Sequence, residues 1–260
     1  MKILVTGHKG FIGSHMLTAL QDEHKVDTYE WGEDYPKVKK YDWVIHLGAI
    51  SSTTETNVEK IMEQNYDFSV ELYKDCRHHE VNFQFASSAS LYGLKSEFHD
   101  FSEQAPVDPR TPYAWSKYMF EKYLTEHKQT ATVQIFRYFN VYGPEGEEHK
   151  GTQASPFCQF KKQAEENGFI TVFEGSDNYK RDFIHVSDVI DIHKKFFDIN
   201  KSGVFNVGSG YTKTFLDIAK MFNVPIKEIP MPEHLKNSYQ KYTCANLYKL
   251  TKTINEHFSG

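Results

Sequence analysis

The sequence has few of the features that mark secreted, metal-binding or membrane-spanning proteins. Its 260 residues include only 3 cysteines, which are widely spaced and form no Cys-x-x-Cys pair. This pattern disfavours both a disulfide framework and a zinc site. The longest apolar runs, such as residues 3–5, are far shorter than the roughly 18 residues that a membrane helix needs, and the N-terminus is not typical of a secretion signal. We therefore expect a cytoplasmic protein with no metal and no membrane partner.

A basic charge balance is also lacking. The formal net charge is −5 and the sequence pI is about 6.2, so nucleic acid is not an expected partner. The 15 glycines and 9 prolines are too few for a collagen-like or low-complexity chain. Hydrophobic residues make up 39% of the chain, and a chain of this length buries roughly 70–75% of its unfolded surface. A globular protein with a large core is expected.

Strand-like and helix-like segments alternate along the first half of the chain. The strand patterns cover residues 2–6, 25–30, 41–47, 81–86 and 132–138, and the helical patterns cover residues 11–20, 58–78 and 113–127. Such alternation predicts βαβ units that build a parallel sheet. The expected fold class is α/β, with a Rossmann-like doubly wound sheet and a smaller C-terminal substrate-binding region.

The connection after the second strand is unusually short. Only ten residues, 31–40, precede the next strand pattern. Ten extended residues span at most about 33 Å, and the return along one strand and past its neighbour needs about 17 Å plus about 10 Å. We therefore expect the outer third strand and its helices to be missing. The expected domains are residues 1–142 with 182–210 for a dinucleotide and residues 143–181 with 211–260 for the substrate.

A glycine-rich turn, TGHKGFIG at residues 6–13, follows the first strand and opens the first helix. Gly7 permits a tight bend, Gly10 lets the backbone approach a pyrophosphate, and Gly13 lets the helix pack against the strand. The N–H groups and the dipole at the N-terminus of the helix attract phosphate. This context predicts a dinucleotide-binding turn.

The end of the second strand carries an acid that bears on the choice of cofactor. Glu30 lies 17 positions after Gly13. An acid near this place holds the ribose 2′-hydroxyl of NAD and repels the 2′-phosphate of NADP, so Glu30 favours NAD. Lys9, inside the turn, could have the opposite effect.

Three further side chains have the chemistry of a proton-transfer site. Tyr113 and Lys117 are four positions apart and share one face of a predicted helix. A nearby ammonium favours tyrosinate, so we expect Lys117 to lower the pKa of Tyr113. Ser88 follows a predicted buried strand, and the carboxyl ends of parallel strands are where open α/β sheets bind ligands.

Together, TGxxGxxG, Ser88 and the Tyr-x-x-x-Lys pair resemble the extended short-chain dehydrogenases/reductases that act on nucleotide sugars. Further segments narrow the resemblance to the ADP-glycero-manno-heptose 6-epimerases within that family. In chain order they are SSTTE at 51–55, RYFNVYGP at 137–144, HKG at 149–151, FEGS at 173–176 and KRDF at 180–183. The resemblance extends from residue 1 to about residue 250.

The resemblance implies a reaction and a set of roles. NAD or NADP takes a hydride from C6 of ADP-heptose and returns it to the opposite face of the carbon. Tyr113 and Lys150 are then the two acid/base groups, Ser88 polarises the reacting oxygen, and Lys117 also holds the cofactor. The implied cofactor-binding residues are Gly7, Gly10, Phe11, Ile12, Gly13, Glu30, Leu47, Gly48, Ala49, Asn65, Tyr113 and Lys117.

The resemblance also implies substrate contacts and a homo-oligomer. Ser51, Ser52, Thr53 and Asn140 are assigned to the sugar, Phe173 and Glu174 to the nucleoside, Arg181 to the diphosphate, and His149 and Tyr239 to further substrate contacts. Because the segments at 55–57 and 145–148 depart from the pattern, another heptose or a hexose is also open as the sugar.

Other functions remain open at this point. One is a different nucleotide-sugar enzyme, such as a UDP-hexose 4-epimerase or a reductase, and another is a cofactor-binding protein without catalysis. A dehydratase is disfavoured, since an Asp-Glu pair is expected there after the strand-end hydroxyl and Ala89 and Ser90 follow Ser88 instead.

Overall fold

Six parallel strands form the main sheet in a computed structural model that describes residues 1–52, 54–233 and 239–258. The strands are β1 (Lys2–Thr6), β2 (Lys25–Tyr29), β3 (Trp43–His46), β4 (Asn82–Ser88), β5 (Val133–Tyr138) and β9 (Gly203–Val207). They lie in the order β2-β1-β3-β4-β5-β9. The expected Rossmann-like parallel sheet is confirmed. Thr53, one of the residues assigned to the sugar, lies outside the described residues.

The short connection after β2 is made as its length predicted. Residues 31–42 contain one short 3-10 turn, Val38–Lys40, and then β3 begins on the far side of β1. Val38 is buried under the sheet, and the Tyr41 hydroxyl donates to Asp27 Oδ2 at 2.8 Å. No further strand pairs with the outer edge of β2 in the described part of the chain. The strand that usually pairs with the outer edge of β2 in a Rossmann sheet is therefore missing, and β3 is the strand on the other side of β1.

Helices cover both faces of the sheet. They are α1 (Phe11–Leu20), α2 (Val58–Ile61), α3 (Phe68–His78), α4 (Pro112–Glu126) and α6 (Val186–Asp198), with α5 (Pro156–Asn167), α7 (Phe215–Lys220) and α8 (Tyr248–Phe258) in the second half of the chain. The strand side chains alternate between the faces. Ile3 and Val5 pack in the cluster that holds Met16 of α1, whereas Leu4 packs in the cluster that holds Leu72 of α3 and Phe120 of α4.

The helical pattern at 58–78 is interrupted by a wider turn. A π-helical segment, Met62–Asp67, lies between α2 and α3. Such segments are rare and accompany functional sites more often than chance. Asn65, which the sequence assigned to the cofactor, is buried in this segment.

The second half of the chain contributes two small sheets. One has the order β10-β8-β6, from Thr212–Thr214, Lys180–His185 and Asn140–Tyr142, and the other pairs β11 (Ile226–Ile229) with β7 (Ile170–Phe173). Phe160 of α5, Phe183 of β8 and Ile218 of α7 belong to one buried cluster that packs between these elements. Within the described ranges, no helix is both long enough and apolar enough to cross a bilayer.

Candidate active site

The glycine-rich turn leaves no room for a side chain at Gly7 or at Gly13. Gly7 has a φ of +73°, and a Cβ there would lie 2.5 Å from Gly48 Cα. A Cβ on Gly13 would lie 2.0 Å from the carbonyl oxygen of Gly7. Helix α1 begins after Gly10, which offers no side-chain cap to its first N–H groups. A backbone cradle of this kind at a helix N-terminus fits the pyrophosphate of a dinucleotide.

Glu30 is held beside this turn at the end of β2. Its Oε1 accepts the backbone N–H of Lys9 at 2.6 Å and lies 3.2 Å from His8 Nδ1. The bond to Lys9 fixes the carboxylate next to the turn that would receive the phosphates. The Lys9 side chain is exposed and its ammonium lies 3.7 Å from Glu33.

A cleft of about 460 Å³ lies over the carboxyl ends of the strands. Most residues that the sequence assigned to the cofactor line it, together with both proposed acid/base groups. The candidates that line the cleft are Gly7, Gly10, Phe11, Ile12, Gly13, Glu30, Leu47, Gly48, Ala49, Ser51, Tyr113, Lys117, His149 and Lys150. The structure thus brings a glycine-rich turn, a Tyr-x-x-x-Lys pair and a distant loop lysine to one cavity.

Lys117 is buried at the base of the cleft. Its Nζ donates to the carbonyl oxygen of Ala86 at 2.8 Å and lies 5.9 Å from the ring centre of Tyr113. Burial lowers the pKa of Lys117 to about 7, because a low-dielectric surrounding disfavours the charged form. The neutral amine of Lys117 is therefore much more accessible near neutral pH than that of an ordinary lysine.

The expected lowering of the pKa of Tyr113 is wrong for this structure. Burial raises the pKa of the phenol, and a hydrogen bond with Ser88 opposes that rise. The main cause is the loss of water around the phenol, and Nζ of Lys117, itself desolvated, donates to Ala86. Ser88, at the end of β4, also accepts the N–H of Ser90 at 3.1 Å and does not line the cleft itself.

Lys150 is held at the cleft rather than extended into solvent from its loop. Its Nζ lies 4.3 Å above the ring centre of Phe11 and 3.4 Å from Glu147 Oε2. Only 23% of its side chain is exposed. Burial lowers the pKa of Lys150, and the carboxylate of Glu147 opposes that change. Tyr113 and Lys150 are thus two ionisable side chains that open on the same cavity.

Asn65 lies behind the cleft and supports its wall. Its Oδ1 accepts the N–H of Ile50 at 2.8 Å, and its Nδ2 donates to the carbonyl oxygen of Ile50 and to Ser116 Oγ, both at 3.0 Å. It fixes the segment that includes Ser51 without lining the cavity itself. Ser52 also does not line the cleft, and its hydroxyl bonds Thr54 Oγ1 at 3.0 Å.

A second cluster of candidate residues surrounds Arg181. The guanidinium carbon lies 5.5 Å from the ring centre of Tyr239 and 5.8 Å from that of Phe215, and Phe173 contacts Tyr239 at 6.1 Å between ring centres. Arg181 is only 6% exposed, and burial lowers its pKa to about 10. Glu174 follows Phe173 at the surface, with its N–H donating to Ile229 at 2.9 Å.

No carboxylate forms an ion pair with Arg181 among the described residues. The neighbouring Asp182 instead accepts backbone N–H groups from Ser209, Gly210 and Ala245. Asn140 donates to the carbonyl oxygen of Asp182 at 2.8 Å. An aromatic-lined, desolvated guanidinium of this kind suits an anion that brings its own negative charge.

Several residues of the site escaped the sequence analysis. Tyr138 lines the cleft, and its hydroxyl hydrogen-bonds His193 Nε2. Its only sequence signal is its place in RYFNVYGP. Trp31, in the shortened connection, also lines the cleft and is 46% exposed. Glu147 is buried beside Lys150, and nothing in its acidic loop sequence distinguishes it from Glu148.

Comparison with known proteins adds a family match. The model of the NAD dependent epimerase/dehydratase family matches residues 24–208. The chain is 35% identical over 288 aligned residues to ADP-L-glycero-D-manno-heptose-6-epimerase of Brachyspira hyodysenteriae, covering 95% of this chain and 90% of that protein.

Solved structures show the same likeness. The crystal structure of ADP-L-glycero-D-manno-heptose-6-epimerase from Helicobacter pylori aligns with a TM-score of 0.84 and 25% identity, over 98% of this chain and 90% of that one. UDP-glucose 4-epimerase from Thermus thermophilus, solved with NAD, aligns with a TM-score of 0.81 and 25% identity, over 100% of this chain and 99% of that one.

Proposed function

Because the chain belongs to the NAD dependent epimerase/dehydratase family, we propose that it is a nucleotide-sugar epimerase that inverts C6 of ADP-heptose. The observation that carries this proposal is the common cavity of the glycine-rich turn, Tyr113 and Lys150. Inversion through a ketone needs a proton-transfer group on each side of the reacting carbon, and two such groups open on this cavity. The likeness to the two heptose 6-epimerases supports the choice of sugar.

The shifts in the pKa values of Lys150 and Tyr113 indicate which group accepts the proton and which donates it. Burial lowers the pKa of Lys150 and raises that of Tyr113. In one direction of the reaction, the amine of Lys150 takes the proton of the sugar hydroxyl, and the phenol of Tyr113 donates a proton to the carbonyl oxygen after the sugar has turned. The roles reverse in the other direction. A dinucleotide held by the turn at residues 6–13 and Glu30 would supply the acceptor and donor of the C6 hydride, with no net oxidation of the sugar.

The remaining assignments form part of the same proposal. We propose that the turn at residues 6–13 and Glu30 hold the dinucleotide, that Ser88 polarises the reacting oxygen through its place beside Tyr113, and that Arg181 pairs with the diphosphate of the substrate. The other residues assigned to the cofactor and the substrate keep those roles in the proposal, with Asn65 acting through the segment around Ile50 that it fixes. The proposed division is a dinucleotide domain of residues 1–142 with 182–210 and a substrate domain formed by the rest.

Location and assembly form a further part of the proposal. All three cysteines are free thiols, which suits a reducing compartment such as the cytoplasm. A homo-oligomer is also proposed. Trp115, on the outer side of α4, is 49% exposed and offers apolar surface for a second copy. Light scattering of the purified protein measures the number of copies.

The purified protein with ADP-heptose provides the test. Proton NMR in D₂O should show the two C6 epimers approach equilibrium, with no deuterium at C6, because the hydrogen leaves and returns as a hydride. Uptake of deuterium at C6 would contradict hydride transfer. Inversion of UDP-glucose at C4 in a parallel sample, with ADP-heptose unchanged, would favour the 4-epimerase that the Thermus structure suggests. Failure of both, with cofactor bound, would favour a non-catalytic protein.

A further inference from the structure

Glu147 is a buried carboxylate in a loop whose other carboxylates are exposed. Its side chain is only 2% exposed, whereas its neighbours Glu145, Glu148 and His149 are exposed. A carboxylate removed from water is unfavourable unless hydrogen bonds and an opposite charge compensate for the loss of hydration. The groups that contact Glu147 should therefore account for its burial.

Three donors meet this carboxylate. Oε1 accepts the hydroxyl of Ser155 at 2.7 Å, and Oε2 accepts the backbone N–H of Ser155 at 2.9 Å. Oε2 also lies 3.4 Å from Nζ of Lys150. Ser155 is the N-cap of α5, and its Oγ also accepts the N–H of Cys158 at 3.4 Å. The carboxylate is thus fixed to the start of a helix on one side and faces the ammonium on the other.

The loop backbone supports the same arrangement. The N–H of Lys150 donates to the carbonyl oxygen of Glu147 at 2.9 Å, so a short turn joins the two residues. The ammonium also lies over the ring of Phe11, 4.3 Å from its centre. Lys150 therefore contacts both a ring that lines the cleft and a carboxylate that is anchored to α5.

We infer that Glu147 is the positioning residue of Lys150, holding its ammonium at the cleft for proton transfer. This inference rests on the proposed role of Lys150 in the epimerase reaction. Glu147 does not line the cleft, so it acts through Lys150 and not on the sugar. Glu147 also favours the protonated amine of Lys150, in opposition to burial.

Glu147→Gln tests the inference, with Glu148→Gln as the matched control. Both changes remove one negative charge, but Glu148 is exposed, and its Oε2 accepts the N–H of Gly146 at 2.9 Å. Glu147→Gln should lower kcat about 10- to 100-fold with little change in KM, since a small misplacement of a catalytic group has this effect. Glu148→Gln should leave both unchanged.

The pH profile separates positioning from a structural role. The limb of the kcat against pH profile that reports the pKa of Lys150 is the one that disappears in Lys150→Met. In Glu147→Gln this limb should move to lower pH, because the protonated amine loses its carboxylate partner. Glu147→Asp, which keeps the charge, should leave the limb in place. A lower melting temperature with an unmoved limb and an unchanged kcat would overturn the inference.

A direct titration of Lys150 tests the inference without a measurement of enzyme activity. Lysines are labelled by reductive methylation with ¹³C, and the Lys150 signal is the one that is missing in Lys150→Arg. Its titration midpoint should fall in Glu147→Gln and stay in Glu148→Gln. An unmoved midpoint overturns the inference, while full activity of Lys150→Met contradicts the proposed function instead. If Glu147→Gln does not fold, Glu147→Asp carries the test, and an unchanged kcat in that variant overturns the inference.

Discussion

Lys117 joins helix α4 to strand β4, with its Nζ donating to the carbonyl oxygen of Ala86 at 2.8 Å. The bond places a desolvated amine two residues before Ser88 and one helical turn after Tyr113. Tyr113 and Lys117 lie on α4 and Ser88 ends β4, so this hydrogen bond helps to set the position of the three side chains relative to each other. The burial that fixes them also has a cost, since the charged form of Lys117 is disfavoured.

Replacement of this lysine should stabilise the fold. The pKa of Lys117 is lowered from 10.5 to about 7 in the folded protein, so between these values the unfolded chain binds more protons and stability rises with pH. Lys117→Met removes the charge, and it should raise the free energy of unfolding by up to a few kcal/mol at pH 7 and below. The gain should shrink as the pH approaches 10. Urea unfolding at several pH values measures it, and a gain that is constant with pH would contradict the argument.

Tyr113→Phe should abolish most of the epimerisation. The change removes one hydroxyl from a residue that lines the cleft, and loss of a general acid/base group typically lowers kcat by about 10²- to 10⁴-fold. Tyr118→Phe is the matched control, because Tyr118 lies on the same helix and contacts Trp115 away from the cleft. The initial rate with ADP-heptose measures both. Full activity of Tyr113→Phe would show that the assigned proton transfer is wrong.

Arg181→Gln should weaken substrate binding without an equal effect on the cofactor. A buried charge-assisted contact to a diphosphate contributes enough that KM should rise about 10- to 100-fold. Lys180→Gln serves as the control, since it removes the same charge from the neighbouring residue, whose ammonium pairs with Glu97 at the surface. Fluorescence titration with NADH should give the same affinity for both variants. A KM equal to that of the unaltered protein would place the diphosphate elsewhere.

Glu30→Gln should narrow the preference for NAD over NADP. The carboxylate stands beside the turn, where a 2′-phosphate would meet its charge. We expect the ratio of the NADPH and NADH dissociation constants to fall about tenfold, the effect of roughly 1.4 kcal/mol of repulsion. Asp34→Asn, a few residues along the same exposed connection, should leave the ratio unchanged. An unchanged ratio in Glu30→Gln would show that another group selects the cofactor.

The sheet and the turn could be predicted from sequence because local rules decide them. Buried parallel strands are apolar on both faces, as residues 3–5 are, and the length of the connection at 31–40 limits what it can contain. The π segment, Met62–Asp67, could not be predicted. It fits an ordinary helical pattern, and what distinguishes it is the bonding of Asn65 to Ile50, 15 positions away.

Electrostatics was the other part that the sequence could not supply. The Tyr-x-x-x-Lys spacing predicts that Lys117 is near Tyr113, but the pKa of each depends on how much water the fold leaves around it. Glu147 shows the same limit. It and Glu148 are adjacent acids in one loop, and only the position of Ser155 at the start of α5 decides which one is buried.

The missing third strand leaves β2 as the border of the sheet. A border strand carries unused backbone N–H and carbonyl groups, which can recruit strands from other molecules and lead to aggregation. Here the border strand carries Lys25 and Asp27, and Asp27 is engaged by Lys40 at 2.8 Å. A strand from another molecule that paired with β2 would remove these charges from water. The charges therefore disfavour aggregation of the shortened sheet through this edge.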